Sequence, residues 1–128
     1  MIYISGLPAG TVTFLFTDIE GSTPLWERNP RGMREALDRH NALLHEAIQQ
    51  HDGHIFQVVG DAFHAAFSIP IQALEAALAA QRALAKEPWR DTGPIRVRMG
   101  IHTGLAELQQ GEYLSNHTLN RVARLTSA

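Results

Sequence analysis

The order of apolar patterns along this chain predicts an α+β fold: a ferredoxin-like βαββαβ sandwich whose antiparallel sheet carries helices on one face. Three observations carry that prediction. Short runs rich in β-branched and aromatic residues, such as Thr11 to Thr17, alternate with longer stretches. The longer stretches repeat apolar residues at spacings of three, four and seven, the period of a helix with one buried face. A Gly60-Asp61 turn joins two strand-like runs directly, and this is the split in the repeat.

Taken in order, Thr11 to Thr17 is the first strand. Ser22 or Thr23 is placed to cap a helix, with Pro24 in its first turn. Asn29-Pro30 interrupts the pattern, so the long helix is expected from Pro30, burying Met33, Leu37, Leu44, Ala47 and Ile48. Gly53, after Asp52, reads as its stop. His54 to Val59 and Ala62 to Ser68 form a hairpin that presents Asp61 at its turn. A second helix runs from Ile71 to about Lys86, with Leu74, Leu78, Gln81, Leu84 and Ala85 as its stripe. Pro88, Gly93 and Pro94 mark a loop, Ile95 to His102 a strand, Gly104 to Asn116 a loop or hairpin, and Leu119 to Ser127 a closing helix.

At 128 residues the chain is expected to be one domain, 1–128, behind a short lead over 1–10. A net charge of −2 with interspersed signs offers no basic stripe, so no nucleic-acid partner is expected. No apolar run is long enough to span a bilayer, and Met1 to Gly6 lacks the basic and apolar regions of a signal peptide. There is no cysteine, hence no disulfide or thiolate chemistry. Together these suggest a cytoplasmic protein.

Two aspartates carry the chemistry. Asp18 ends the run Thr13-Phe14-Leu15-Phe16-Thr17 and leads into Glu20-Gly21-Ser22-Thr23-Pro24; Asp61 follows Phe56-Gln57-Val58-Val59-Gly60. A lone aspartate at a strand end is most often a turn former or cap. A pair beside a helix start suits a magnesium-bearing polyphosphate: carboxylates hold hard cations through oxygen, and the helix end offers N–H groups to phosphate.

Two further blocks are Arg96-Val97-Arg98-Met99-Gly100-Ile101-His102-Thr103-Gly104 and Asn120-Arg121-Val122-Ala123-Arg124-Leu125. With the two aspartate blocks they run in order from about Gly10 to Leu125. In these four blocks the chain resembles the class III nucleotidyl cyclase catalytic domain. The resemblance implies conversion of ATP to 3′,5′-cyclic AMP and pyrophosphate, in cyclic-nucleotide signalling. It implies two Mg²⁺ or Mn²⁺ ions on Asp18, Asp61 and the Ile19 carbonyl, and backbone amides of Gly21, Ser22 and Thr23 facing the β- and γ-phosphates. Asn120 and Arg124 match the family's transition-state pair; four residues apart, they share one helix face. The family's active sites lie at the seam of a head-to-tail homodimer, the aspartates from one chain and the Asn/Arg pair from the other.

Three features depart from the family pattern. Gln57 stands where adenylyl cyclases usually carry a base-reading lysine, and an amide pairs with either purine edge, so ATP and GTP both stay open. Glu112 is the nearest match to the second base-reading position, with Tyr113 as the alternative register. Family domains continue past the Asn/Arg helix, so the resemblance implies a domain incomplete after Ala128. A cyclase-homology module that dimerises and binds nucleotide without turnover is the alternative. A diguanylate cyclase lacks support, since no Gly-Gly-Asp/Glu-Glu-Phe signature is present. His40 and His45 are expected at the surface or its boundary; His102, Trp26 and Trp89 are expected to be structural.

Overall fold

Gly10–Ile19 form β1, ten residues of which Val12 through Thr17 are all buried. A strand buried on both faces needs cover on both sides, and the rest of the chain supplies it. The computed structural model describes residues 6–127; Met1 to Ser5 and Ala128, including most of the segment read as no signal peptide, lie outside the described residues. After β1 come α1 (Ser22–Arg28), α2 (Pro30–Gln50), β2 (His54–Val59), β3 (Ala62–Phe67), α3 (Pro70–Lys86), β4 (Val97–Ala106), a two-residue hairpin β5 (Leu108–Gln109) and β6 (Glu112–Tyr113), and α4 (His117–Ser127). The four long strands form one antiparallel sheet in the order β2-β3-β1-β4, the ferredoxin-like arrangement the sequence predicts.

Strand side chains alternate between faces, so β1 divides the core in two. Leu15 and Ile19 face α2 and α3, among Met33, Leu44, Ile48, Phe67 and Leu84. Val12, Phe14 and Phe16 face the other way, against Ala66, Ala106 and Val122. That second face is covered by α4, which follows the repeat. The two helices of the repeat share one face as expected, and α4 refines the expectation by sitting on the opposite one.

Several local readings change. Gly21, in left-handed backbone at φ 64°, is the N-cap of α1, and no side chain caps it; Ser22 and Thr23 lie inside the helix. The α2 start is as expected, with Asn29 accepting from the Gly32 amide. At its end Asp52, at φ 61°, takes the left-handed turn. Gly53 is needed for space instead: a Cβ there would meet Ile48 and Phe67 at 2.6 Å. On α3 the stripe is displaced. Ala73, Ala76, Ala77, Ala80 and Leu84 are buried, whereas Leu74 and Leu78 are 54% and 47% exposed and Gln81 and Ala85 are also exposed. Alanines let α3 approach α2 and the sheet closely, which leucines would prevent. His40 is fully buried, not at a boundary: its ring stands edge-on to Phe63, Nδ1 meets Asn41 Oδ1 at 2.8 Å, and Nε2 has no partner among the described residues.

Candidate active site

By the alternation of β1, Asp18 shares the α4 face with Phe14 and Phe16. Its register partner across the sheet is Arg98 on β4. The two side chains meet as a fork: Arg98 Nε donates to Asp18 Oδ1 at 2.7 Å and Nη2 to Oδ2 at 2.9 Å. Asp61 arrives at the same end of the sheet on the β2–β3 turn. Its Oδ1 accepts the backbone N–H of Ile19, the residue after Asp18, at 3.0 Å. The hairpin turn is thereby tied to the end of β1.

This end of the sheet is acidic. Arg98 holds its proton more tightly than an ordinary arginine, first because it is hydrogen-bonded to Asp18 and further because Glu20 and Asp61 add negative charge. Among the described residues no group of three or more His, Cys, Asp or Glu is placed to hold a metal ion. Asp18, whose two oxygens are held by Arg98, and Asp61 offer only oxygen donors, the type that suits hard divalent cations rather than zinc or copper. Gly21, Ser22 and Thr23 follow directly, at the junction of β1 and α1.

A second group of residues lines a cleft of about 490 Å³ on the α4 face, among them Phe16, Phe56, Gln57, His64, Glu112 and Asn120. Neither Asp18 nor Asp61 lines it. Gln57 reaches the cleft through a bulge. Ile55 pairs with Ala65 but Gln57 pairs with His64, leaving Phe56 as the extra residue. Gln57 therefore points to the same side as Phe56, and its Oε1 lies 3.0 Å from His64 Nδ1. The His64 ring stacks on Phe16, centroids 3.8 Å apart and planes 16° from parallel. Burial holds the His64 pKa below the ordinary imidazole value.

Tyr113 packs edge-on against Phe14 and Phe56 and donates its hydroxyl to the Pro8 carbonyl at 2.7 Å. Burial pushes that phenol up to about 12. The Tyr113 hydroxyl is thus committed to the main chain, whereas Glu112 is exposed at the rim. On α4, Thr118, Val122 and Thr126 face the sheet, so Asn120 and Arg124 lie on the exposed side one turn apart. Asn120 borders the cleft; Arg124 lies outside it, beside His102, Arg121 and Leu125.

The structure therefore gathers Asp18, Ile19, Asp61 and the Gly21–Thr23 junction at one end of the sheet. It gathers Gln57, Glu112 and Asn120 around the cleft, and leaves Arg124 apart from both. Sequence reasoning passed over Arg98 and His64. The register pairing Asp18 with Arg98 would have exposed the first; the second follows from a bulge that no residue pattern announces.

Residues 6–109 match the family described as the adenylate and guanylate cyclase catalytic domain. An uncharacterized protein of Mycobacterium tuberculosis is 39% identical over 120 residues, covering 92% of this chain and 39% of the relative. An adenylate cyclase of Lachancea kluyveri is 32% identical over 144 residues, covering 93% of this chain and 8% of its own length. The chain thus spans well under half of these curated relatives. Among solved structures, adenylate cyclases of Trypanosoma brucei in their monomeric state superpose with TM-score 0.87 at 27% identity, over 98% of this chain and 72% of that one. The guanylate cyclase domain of RhGC from Catenaria anguillulae, in complex with GTP, shares the fold with TM-score 0.79 at 20% identity, over 92% and 72%. No helix among the described residues is long and apolar enough to cross a membrane.

Proposed function

The chain belongs to the family of adenylate and guanylate cyclase catalytic domains, and from that premise we propose that it forms a 3′,5′-cyclic nucleotide and pyrophosphate from ATP, at sites shared between two copies in a head-to-tail homodimer. The observation that carries this reading is the Asp61 carboxylate holding the amide beside Asp18, which sets two carboxylates at one strand end.

Asp18, Asp61 and the Ile19 carbonyl would hold two Mg²⁺ or Mn²⁺ ions, whose chemistry there would be to acidify the ribose 3′-hydroxyl and neutralise the triphosphate. The amides of Gly21, Ser22 and Thr23 receive the β- and γ-phosphates. Gln57 and Glu112 contact the base in the cleft. Asn120 orients the ribose, and Arg124 meets charge growing on the α-phosphate. Cleft and carboxylate pair stand apart within one chain, which supports a site completed by the partner's α4.

The test incubates the purified chain with ATP or GTP and Mn²⁺ or Mg²⁺ and separates the products. Cyclic AMP from the native chain, and none from Asp61→Ala, is expected. Nucleotide binding without cyclic product from either substrate would replace this reading with a non-catalytic nucleotide-binding module.

A further inference from the structure

Gln57 and His64 meet in the cleft. Gln57 Oε1 lies 3.0 Å from His64 Nδ1. An amide oxygen only accepts, so in this pose the contact is a hydrogen bond only in the tautomer that carries Nδ1–H. The ring is fixed in this pose by its stack on Phe16. The β2 bulge fixes the other partner: had regular pairing continued from Ile55, Gln57 would stand opposite Phe63 and project from the other face of the sheet.

We infer that His64 is a specificity-determining residue that acts through Gln57: by holding the amide oxygen, it leaves the Gln57 NH₂ group alone to face the base and selects adenine nucleotides over guanine nucleotides. This rests on the reading of Gln57 as the base-contacting residue in the proposal above. Adenine offers an acceptor, N1, at the centre of its pairing edge. Guanine has a donor, N1–H, at the same place. Opposite N1, an NH₂ group satisfies the first and opposes the second, and an unsatisfied donor pair is the costly outcome. Gln57 held in this way presents the donor that a lysine would present, though it carries no charge. The opposite tautomer, Nε2–H, would turn the amide over, offer Oε1 to the base and favour guanine. His64 therefore fixes a choice that the Gln57 side chain alone leaves open.

The experiment uses the whole chain and reads nucleotide binding directly. ATP and GTP compete against a fluorescent N-methylanthraniloyl nucleotide, with Ca²⁺ present to suppress turnover, and kcat and KM are measured separately with Mn²⁺. The native chain is expected to prefer ATP. His64→Leu, which removes the donor, should lower the ATP:GTP affinity ratio about tenfold, the size of one lost hydrogen bond, and the change should fall on the KM ratio more than on the kcat ratio. His64→Asn should keep the preference, because its Nδ2–H stands where the imidazole Nδ1–H stood. Gln57→Ala separates the two levels of the reading. A ratio that moves in Gln57→Ala but not in His64→Leu overturns the role of His64 and leaves Gln57 as the base reader. A ratio unmoved in both overturns Gln57 as reader and the inference with it. Long-range ¹H–¹⁵N correlation on the native chain needs no variant: Nδ1–H is expected for His64, and an Nε2–H tautomer overturns the inference.

Discussion

His40 shows what burial does to a single titratable side chain. It is wholly enclosed beneath Phe63, with one ring nitrogen on Asn41 and the other unpartnered among the described residues. Desolvation lowers its pKa; the Asn41 hydrogen bond and the more distant charge of Asp61 oppose this without reversing it. A folded-state pKa below the unfolded value means that the unfolded chain takes up the proton first as pH falls. The stability is therefore complete above the unfolded value near 6.5 and is lost below it, at a slope of at most about 1.4 kcal/mol per pH unit for one histidine. His64, shifted in the same direction by burial, adds to the trend. Urea unfolding at pH 7.5 and 5.5 should show the native chain weakened at the lower pH. His40→Leu should lose less between the two, and an equal loss would assign the effect elsewhere. At this scale the meeting of Asp18 and Asp61 at one strand end was legible because the pair with its flanking residues, rather than either carboxylate alone, is unusual. His40 was not: its spacing on α2 places it on the buried stripe with Ala36, Leu43 and Leu44, but a histidine is ordinarily read as boundary material.

Elements were legible where period and punctuation agreed. The hairpin at Gly60-Asp61 and the start of α2 at Pro30 follow the sequence directly. On α3 the period was right and the phase wrong, because leucines outrank alanines in any hydrophobic reading although the close approach to α2 admits only the smaller side chain. This predicts an inverted mutational pattern. Leu74→Gln and Leu78→Gln, at exposed positions, should change stability by no more than about 0.5 kcal/mol. Ala80→Leu, into a fully buried contact, should cost about 1–3 kcal/mol by overpacking. The seat of α4 makes a similar demand on β4. A Cβ at Gly100 would stand 2.5 Å from Thr126 Oγ1 and 2.8 Å from the Thr126 backbone nitrogen, whereas one at Gly104 would meet only the side chain of Thr118. A side chain can turn aside and a helix backbone cannot. Gly100→Ala should therefore destabilise by about 1–3 kcal/mol and Gly104→Ala by less, both measured by denaturant unfolding. The Gly100 variant should also impair turnover, since α4 carries Asn120 and Arg124; a Gly100→Ala chain of native stability would mean that α4 moves freely on the sheet.

The whole molecule presents its proposed chemistry in two halves. The carboxylate pair closes one end of the sheet through Asp61 and Ile19, while Gln57, Glu112 and Asn120 surround a cleft that neither aspartate lines. Sequence blocks could name both halves, but their separation depends on which face of the sheet α4 covers, and the buried stripe of Thr118, Val122 and Thr126 does not specify that. If each site is completed by a second copy, a defect in one half can be rescued by a chain defective in the other. Asp18→Ala removes the carboxylate half and Arg124→Ala removes the α4 half, each leaving the other intact. Each homodimer should have no turnover. A head-to-tail dimer of the two kinds carries both defects at one seam and neither at the other, so it holds one native site. Random pairing of equal amounts makes half of the dimers mixed. With one site of two working in each, the mixture should recover about a quarter of the native rate. Recovery should also grow with total concentration until dimerisation is complete. An Asp18→Ala, Arg124→Ala double variant mixed with the native chain supplies the control, because there both defects travel on one chain. Each mixed dimer would then have one defect at each seam, no intact site would form, and activity should likewise fall to the quarter contributed by native homodimers. Failure of the two single variants to recover activity, while the native chain turns over and dimerises, would place the complete site within one chain.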